Sequence, residues 1–85
     1  MYKEIISLYK WCEEQNISCM LSTLYDGYKI TFKNSFGVVH SDVVQHMGSY
    51  GSKEGYVEPA GFSISYAPVT VEQMKDLILK EIKGR

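Results

Sequence analysis

The hydrophobic positions at the start of the chain follow the period of an α-helix. Over residues 2–15 they return every three or four residues, and charged residues fill most of the positions between them. Asn16 comes directly after this stretch, and asparagine tolerates the left-handed conformation that ends many helices. The pattern therefore predicts an amphipathic helix that ends before Asn16. Its apolar positions are Tyr2, Ile5, Ile6, Leu8, Tyr9, Trp11 and Cys12.

From Ile17 the period changes to two residues, which is typical of a half-buried β-strand. The strand leads to Asp26-Gly27, a dipeptide that favours a two-residue type I′ turn because both residues accept a positive φ. Such a turn fixes the pairing of two strands and puts their apolar residues on one face. The expected cross-strand pairs are Tyr25 with Tyr28, Thr23 with Ile30, and Leu21 with Phe32.

A third strand is predicted over residues 36–44, after a second turn at Asn34-Ser35. If that turn also has two residues, Ile30 lies opposite Val39. The inward side chains are then Val39 and Val43, and the outward ones are His40, Asp42 and Val44. A single β-bulge would reverse these orientations.

The segment after the third strand is predicted to be a loop followed by a fourth strand. Residues 47–55 are rich in glycine and serine and have no period, which indicates an exposed loop. Further on, Phe62, Ile64 and Tyr66 alternate with small residues, as in a strand. Pro59 precedes this strand and Pro68 ends it.

The last segment carries the signals of a helix start. Thr70 is a suitable N-cap, and Gln73 three residues later completes a capping box. Val69 is placed to pack against Met74 as a hydrophobic staple. A closing helix should therefore begin after Thr70. Its apolar stripe consists of Val71, Met74, Leu77, Ile78 and Ile82.

These elements predict one αββββα domain over residues 1–85, because a chain of 85 residues is too short to divide its core. Each helix has one apolar stripe, and the antiparallel four-stranded meander has one apolar face. We therefore expect a two-layer α+β fold with both helices on one face of the sheet and the other face open. The expected core includes Leu21, Ile30, Phe62, Ile64, Leu77 and Ile78.

Composition adds an expectation about where this domain works. With 45% hydrophobic residues and a formal charge of −1, the chain should fold and has no overall charge that attracts nucleic acid or anionic lipid. No apolar run approaches the length of a membrane span, and the first residues do not form a signal peptide. We expect a cytoplasmic protein without membrane contact, in which Cys12 and Cys19 are buried free thiols rather than a disulfide.

One set of polar residues is a candidate for chemistry. His40, Asp42 and His46 could bind a metal or transfer a proton, with Glu54 and Glu58 nearby. Their spacing matches no zinc motif, so a solvated polar face is the simpler interpretation. The serines and cysteines lie in no nucleophile motif either. We therefore expect no enzymatic activity, no metal and no cofactor.

The loop is the first candidate for a binding surface. It carries Tyr50, Lys53, Glu54 and Tyr56, and exposed tyrosines bury a large, rigid surface at little entropic cost. The same tyrosines would serve equally well as packing anchors for the loop.

The open face of the sheet is the alternative surface, for nucleic acid or a small ligand. Its candidate residues are Lys29, Thr31, Lys33 and His40. The order of elements resembles that of double-stranded-RNA-binding domains with one strand added. Such domains begin their last helix with a lysine cluster, whereas this helix begins Val71-Glu72-Gln73, so nucleic acid is not the expected partner.

Two segments, Val43–Gly51 and Gly55–Phe62, resemble small uncharacterised proteins encoded by phages and prophages of Gram-positive bacteria. The resemblance contains no functional motif and assigns no site residues. It implies a short accessory protein that acts by binding, as anti-CRISPR proteins do when they occupy a surface of a nuclease. We therefore expect a non-enzymatic protein-binding module with a host protein as its partner. Its most specific form is a phage-encoded inhibitor of a host enzyme or defence nuclease.

Overall fold

The computed structural model describes residues 2–33 and 39–83. Its two helices and its four-stranded antiparallel sheet confirm the predicted α+β fold. The strands lie side by side in chain order, β1-β2-β3-β4. The elements are α1 Lys3–Glu14, β1 Cys19–Leu24, β2 Gly27–Lys33, β3 Val39–Gln45, a 3-10 turn Ser52–Glu54, β4 Glu58–Ala60, α2 Val71–Ile78 and a π-helical turn Leu79–Lys83.

Helix α1 ends as predicted, in a Schellman motif. Asn16 adopts a left-handed conformation with a φ of 58°. The backbone N–H of Ile17 donates to the carbonyl of Cys12 at 2.9 Å, and that of Asn16 donates to Glu13 at 3.1 Å. These bonds satisfy two carbonyls at the end of the helix and reverse the chain, so that β1 begins next to the helix.

Helix α2 also begins as predicted. The Thr70 hydroxyl accepts a hydrogen bond from the backbone of Gln73, and the Gln73 side chain accepts one from the backbone of Thr70, which completes the capping box. Val69 and Met74, the two residues of the expected staple, are both buried.

None of the helices in the described parts of the chain has the length and apolar content needed to cross a membrane.

Strands β1 and β2 form the predicted hairpin, but in a different register. Leu21 lies opposite Ile30 rather than opposite Phe32. Because the shift amounts to two residues along one strand, the apolar residues of both strands still share a face. The observed pairs are Leu24 with Gly27, Thr23 with Tyr28, Leu21 with Ile30 and Cys19 with Phe32.

The shift in register follows from the role of Gly27. The turn consists of Tyr25 and Asp26, and Tyr25 has a positive φ of 54°. Gly27 is instead the first residue of β2, where a Cβ atom would lie 2.0 Å from the carbonyl oxygen of Gln45. The glycine therefore allows β3 to approach closely, and the prediction that Asp26-Gly27 forms the turn is wrong.

Strand β3 is also shifted from its predicted register. Ile30 pairs with Val43 rather than with Val39, and the register shifts again at the start of the strand. Val43 is fully buried, as predicted, whereas Asp42 and Val44 alternate with it on the opposite face. The predicted turn at Asn34-Ser35 and the side chains of Val39 and His40 lie outside the described residues.

The fourth strand lies earlier in the chain than predicted. It surrounds Pro59, whereas residues 61–66 form bends. The chain turns back there because the backbone N–H of Tyr66 donates to the carbonyl of Pro59 at 2.8 Å. Phe62 is buried as predicted, but Ile64 is 44% exposed. The prediction that Ile64 belongs to the core is therefore wrong.

The core combines both helices with the inner face of the sheet. Leu21 packs only at its margin and is half-buried. The buried apolar residues are Tyr2, Ile5, Leu8, Cys12, Ile17, Ile30, Phe32, Val43, Val57, Phe62, Val69, Met74, Leu77 and Ile78.

The two edges of the sheet differ. Strand β4 has three residues. Its central residue, Pro59, lacks a backbone N–H, and the carbonyl of Pro59 already accepts a hydrogen bond from Tyr66. Strand β1 has six residues with neither a charge nor a proline, and no further strand of the described residues pairs with it. Its outer edge is therefore open to hydrogen bonding.

Candidate protein-interaction surface

Three parts of the chain meet at one end of the molecule: the β1–β2 turn, the start of α1 and the loop after β3. Their contacts centre on the carboxylate of Asp26. One oxygen accepts a hydrogen bond from the Tyr2 hydroxyl at 2.6 Å, and the other accepts one from the backbone N–H of Met47 at 2.8 Å. A single turn residue thus joins the N-terminal segment to the loop.

The hydrogen bonds at Asp26 shift the pKa values of the groups involved. The bond from Tyr2 and the backbone bond from Met47 lower the pKa of the Asp26 carboxyl below its ordinary value. The same bond to Asp26 raises the pKa of the Tyr2 hydroxyl, since ionised tyrosine could no longer donate it. Both shifts favour the negatively charged carboxylate paired with a neutral phenol.

A buried glutamine is the second group, after Asp26, that holds the loop after β3. Gln45, at the end of β3, is fully buried. Its side-chain oxygen accepts from the backbone N–H of Ile5 at 3.0 Å, and its amide nitrogen donates to the Glu4 carboxylate at 3.0 Å and the Ser52 carbonyl at 3.1 Å. Gln45 therefore connects the first turn of α1 with the loop.

Three large side chains project from this anchored region into solvent. Tyr25 is 81% exposed, Met47 is 68% exposed and Tyr50 is 69% exposed. The Tyr25 ring lies 5.2 Å from the His46 ring, and the backbone N–H of Tyr50 donates to Glu58. We call Tyr25, Met47 and Tyr50 the turn surface.

A groove borders the turn surface and shares Met47 with it. It runs between the start of α1 and the 3-10 turn of the loop, and it includes Lys53 and Glu54, whose side chains are exposed. The groove therefore presents charges of both signs beside an exposed apolar side chain. It is lined by Tyr2, Lys3, Glu4, Asp26, Met47, Ser52, Lys53, Glu54 and Gly55.

The structure separates the four loop residues singled out from the sequence. Tyr50 belongs to the turn surface, and Lys53 and Glu54 line the groove. Tyr56 is only 39% exposed, and its ring packs so closely on Gly51 that a Cβ there would lie 2.7 Å from it. The packing interpretation therefore fits Tyr56, whereas Tyr50 remains available for contact.

Two residues of this surface are not predicted from the sequence. The sequence pattern places Tyr25 in a paired strand and Met47 in a loop, without marking either as a contact residue. Tyr25 lies next to Asp26, a residue type that is common in turns. If the turn is placed at Tyr25-Asp26, the tyrosine is exposed. For Met47 no signal in the sequence marks the bond from its backbone to Asp26.

The outer face of the sheet has balanced charge. Lys29 and Lys33 project from β2 on the same side as Asp42 and Glu58 of the neighbouring strands. Burial raises the pKa of Asp42, and the positive charge of Lys29 partly offsets this shift. Thr31 lies between the two lysines. Such a face does not favour a polyanion, because the two carboxylates balance the two lysines.

One shallow depression lies on this outer face. Tyr66, which is 73% exposed, lines it together with Asp42 and Glu58. Its volume of about 230 Å³ is below the roughly 300–1,000 Å³ of typical ligand sites. A small-ligand site is therefore not favoured here.

The candidate metal residues other than His40, whose side chain lies outside the described residues, do not come together. Asp42 lies in the middle of β3, opposite Thr31, whereas His46 follows the end of that strand and lies against Tyr25. Glu54 lines the groove, and Glu58 lies on the outer face. Among the side chains that the structure describes, those of residues 2–33 and 41–83, no three His, Cys, Asp or Glu groups are close enough to hold a metal ion.

The low pKa of Asp26 predicts a pH dependence of stability. Because the folded-state pKa lies below the unfolded value of about 3.9, ionised Asp26 stabilises the fold above that pH, and this contribution is lost as the pH falls through the folded-state pKa. Asp26→Asn should therefore be less stable than the wild type at neutral pH, and the difference should shrink in acid.

Urea unfolding of both proteins across this pH range tests the expectation. Tyr2→Phe, which keeps the ring but removes the hydroxyl donor, should show part of the same acid-sensitive difference. If the differences between wild type and variants stay constant with pH, the hydrogen bonds at Asp26 do not stabilise the folded state.

Comparison with known proteins adds no further identification of this surface. No protein-family model matches the chain, and neither a curated protein nor a solved structure matches it.

Proposed function

We propose that this protein is a small, non-enzymatic module that binds another protein through the turn surface. The observation that carries the proposal is the group of three exposed side chains held at one end of the molecule. It includes Tyr25, which has a positive φ of 54° and is 81% exposed. The left-handed conformation costs a residue with a Cβ about 1–2 kcal/mol. Burial of the ring could offset this cost, but this ring is mostly in solvent. Contact with a partner supplies a reason for a tyrosine here.

The anchoring of the turn surface supports the same function. Asp26 holds the backbone of Met47, the His46 ring lies against Tyr25, and Gln45 holds the loop. Residues that are already ordered lose less conformational entropy when a partner binds. Large side chains on a rigid support are therefore well placed to contribute most of the binding energy.

The chemistry around the turn surface favours a protein partner over a nucleic acid. Protein interfaces combine an apolar centre with a polar rim. Here Tyr25, Met47 and Tyr50 supply the apolar centre, and Lys53 and Glu54 supply a rim with opposite charges.

A more specific form of the proposal rests on the sequence resemblance to phage and prophage proteins. Met47 and Tyr50 both belong to the segment Val43–Gly51, which carries part of that resemblance. In this form the partner is a host enzyme, such as a defence nuclease, and binding covers the surface with which that enzyme recognises its target. The protein would then act as an anti-CRISPR-like inhibitor.

A comparative pull-down tests the proposed function. The wild type and a Tyr25→Gly/Tyr50→Ala double variant are each immobilised and exposed to a lysate of a Gram-positive bacterium, the host class that the resemblance implies. We expect a protein that the wild type retains and the double variant does not. Affinity for that protein should fall by about 1–2 kcal/mol for Tyr50→Ala alone.

The same substitutions separate binding from folding. Tyr25→Gly removes the Cβ that makes a positive φ costly, so the free energy of unfolding should stay unchanged or rise by up to about 1 kcal/mol. Tyr66→Gly is the matched control, because Tyr66 also has a positive φ, of 59°, and is 73% exposed, but lies at the outer face. Loss of the partner with Tyr66→Gly alone would move the binding surface to the outer face and contradict the proposal.

A further inference from the structure

Strand β1 presents a regular set of backbone groups on the side that faces away from β2. Leu24 and Gly27 flank the two-residue turn of the hairpin, so they form a hydrogen-bonded pair. Because hydrogen-bonded residues alternate along an antiparallel strand, the N–H and C=O groups of Cys19, Leu21 and Thr23 point away from β2. No strand in the described parts of the chain pairs with them there.

We propose that two copies of this protein pair through β1, so that their two sheets continue into one. The paired strands run antiparallel, with Leu21 opposite the Leu21 of the second copy and Cys19 opposite its Thr23. This register uses all three outward-pointing residues of each strand, and each of the three residue pairs exchanges two hydrogen bonds. A shift of two residues in either direction loses one of the three pairs, so the register centred on Leu21 is the most favourable.

The composition of β1 fits a second copy as the partner strand. A twofold axis brings a strand against itself, so a charge near its centre would meet a like charge, and β1 has no charged residue. It has no proline, and its pairing with β2 contains no bulge that would twist the edge away. At the opposite edge of the sheet, β4 does contain a proline. Only the β4 edge is therefore protected against pairing.

The side chains along the β1 edge are also incompletely covered. Cys19 and Leu21 pack on the inner face against the core, and both are half-buried. In the proposed register the two Leu21 side chains are direct neighbours across the twofold axis, and each covers apolar surface of the other. The core of one copy then continues into the core of the second. This burial adds to the hydrogen bonds between the strands.

The pairing is expected to be reversible. Strand β1 has six residues, whereas each side of a standard protein interface contributes about 20–30 residues. Sedimentation equilibrium over a range of concentrations should therefore show monomers and dimers in exchange, and no larger species.

Amide hydrogen exchange followed by NMR tests the register. The amides of Met20 and Ser22 bond to β2 and should be protected at every concentration. The amides of Cys19, Leu21 and Thr23 should become protected only as the dimer forms. Since these amides exchange from the monomer, their exchange should be about tenfold slower in a sample that is about 90% dimer than in a dilute one.

Two double variants test the interface through side chains of the outer face. In the proposed register Met20 lies opposite Ser22 of the second copy, and both side chains are exposed, so substitutions there should leave the fold intact. Met20→Glu/Ser22→Glu places like charges opposite each other on both sides of the axis. Met20→Lys/Ser22→Glu is the matched control, because it places opposite charges there. The dimer of the first variant should dissociate at least about tenfold more readily than that of the second.

Three outcomes would overturn the proposal. A wild type that stays monomeric at millimolar concentration would leave the β1 edge to a strand of a different protein. Equal dimerisation of the two double variants would exclude the proposed register. Loss of the dimer in Tyr25→Gly/Tyr50→Ala would place self-association at the turn surface instead of β1.

Discussion

Replacing Gln45 by leucine is expected to lower the free energy of unfolding by about 3–5 kcal/mol. Leucine has a similar size, but it removes three hydrogen bonds of a fully buried side chain. The backbone N–H of Ile5 is then left without its partner, and an unsatisfied buried group costs about 1–3 kcal/mol. The carbonyl of Ser52 keeps only its bond from the backbone N–H of Gly55, and the Glu4 carboxylate loses its amide donor. Urea unfolding followed by circular dichroism measures the loss.

Gln15→Leu is the matched control for this substitution. The Gln15 side chain accepts its hydrogen bond from the Lys83 ammonium at the surface, where water can replace the partner. Its loss should change the free energy of unfolding by no more than about 0.5 kcal/mol. Similar, small effects for both variants would contradict the role of Gln45 as the link between helix and loop.

The second large effect is expected for Phe62→Ala, at about 3–5 kcal/mol. Phe62 is 8% exposed, and its ring meets the fully buried Phe32 edge to face at a centroid distance of 5.9 Å. Truncation removes this contact and leaves a cavity between the sheet and the bend that carries Phe62. Urea unfolding measures the change.

Ile64→Ala shows whether residues 61–66 form bends or a strand. In the predicted strand, Ile64 and Phe62 lie on the same inward face, so both truncations would be costly. In the bends of the structure, Ile64 is 44% exposed, and its truncation should cost less than about 1 kcal/mol. A cost close to that of Phe62→Ala would support the strand instead.

The helix ends could be predicted because they depend on neighbouring residues. Asn16 ends α1 through its own backbone conformation, and Thr70 begins α2 through a bond to Gln73, three residues away. Such signals lie within one turn of helix, so the sequence is enough to identify them.

The strand registers could not be predicted because they depend on distant residues. The dipeptide Asp26-Gly27 is the strongest turn signal in the hairpin. The position of Gly27 in β2 is nevertheless set by the backbone of Gln45, which lies on another strand. The alternation of apolar and small residues also predicted β4 at the wrong place. Phe62 and Ile64 follow the pattern of a strand but lie in bends, and the strand of the structure contains Pro59. A proline is tolerated in an edge strand, although in a sequence pattern it argues against a strand.

The candidate surface was predictable only in part, for the same reason. Tyr50, Lys53 and Glu54 were found because a loop without period is exposed in almost any fold. Tyr25 was missed because its exposure depends on the hairpin register. The loop residues of the proposed surface could therefore be identified from the composition of the loop, whereas Tyr25 could be identified only from the fold.

The difference between the two sheet edges limits how copies of this protein could associate. If two molecules paired through strands, each would use its open β1 edge, and the combined sheet would end on both sides at β4. Pro59 lacks a backbone N–H, and its carbonyl is occupied by Tyr66, so neither end offers a template for a third molecule. Association by strand pairing would thus close at a dimer of twofold symmetry and could not continue into a fibre.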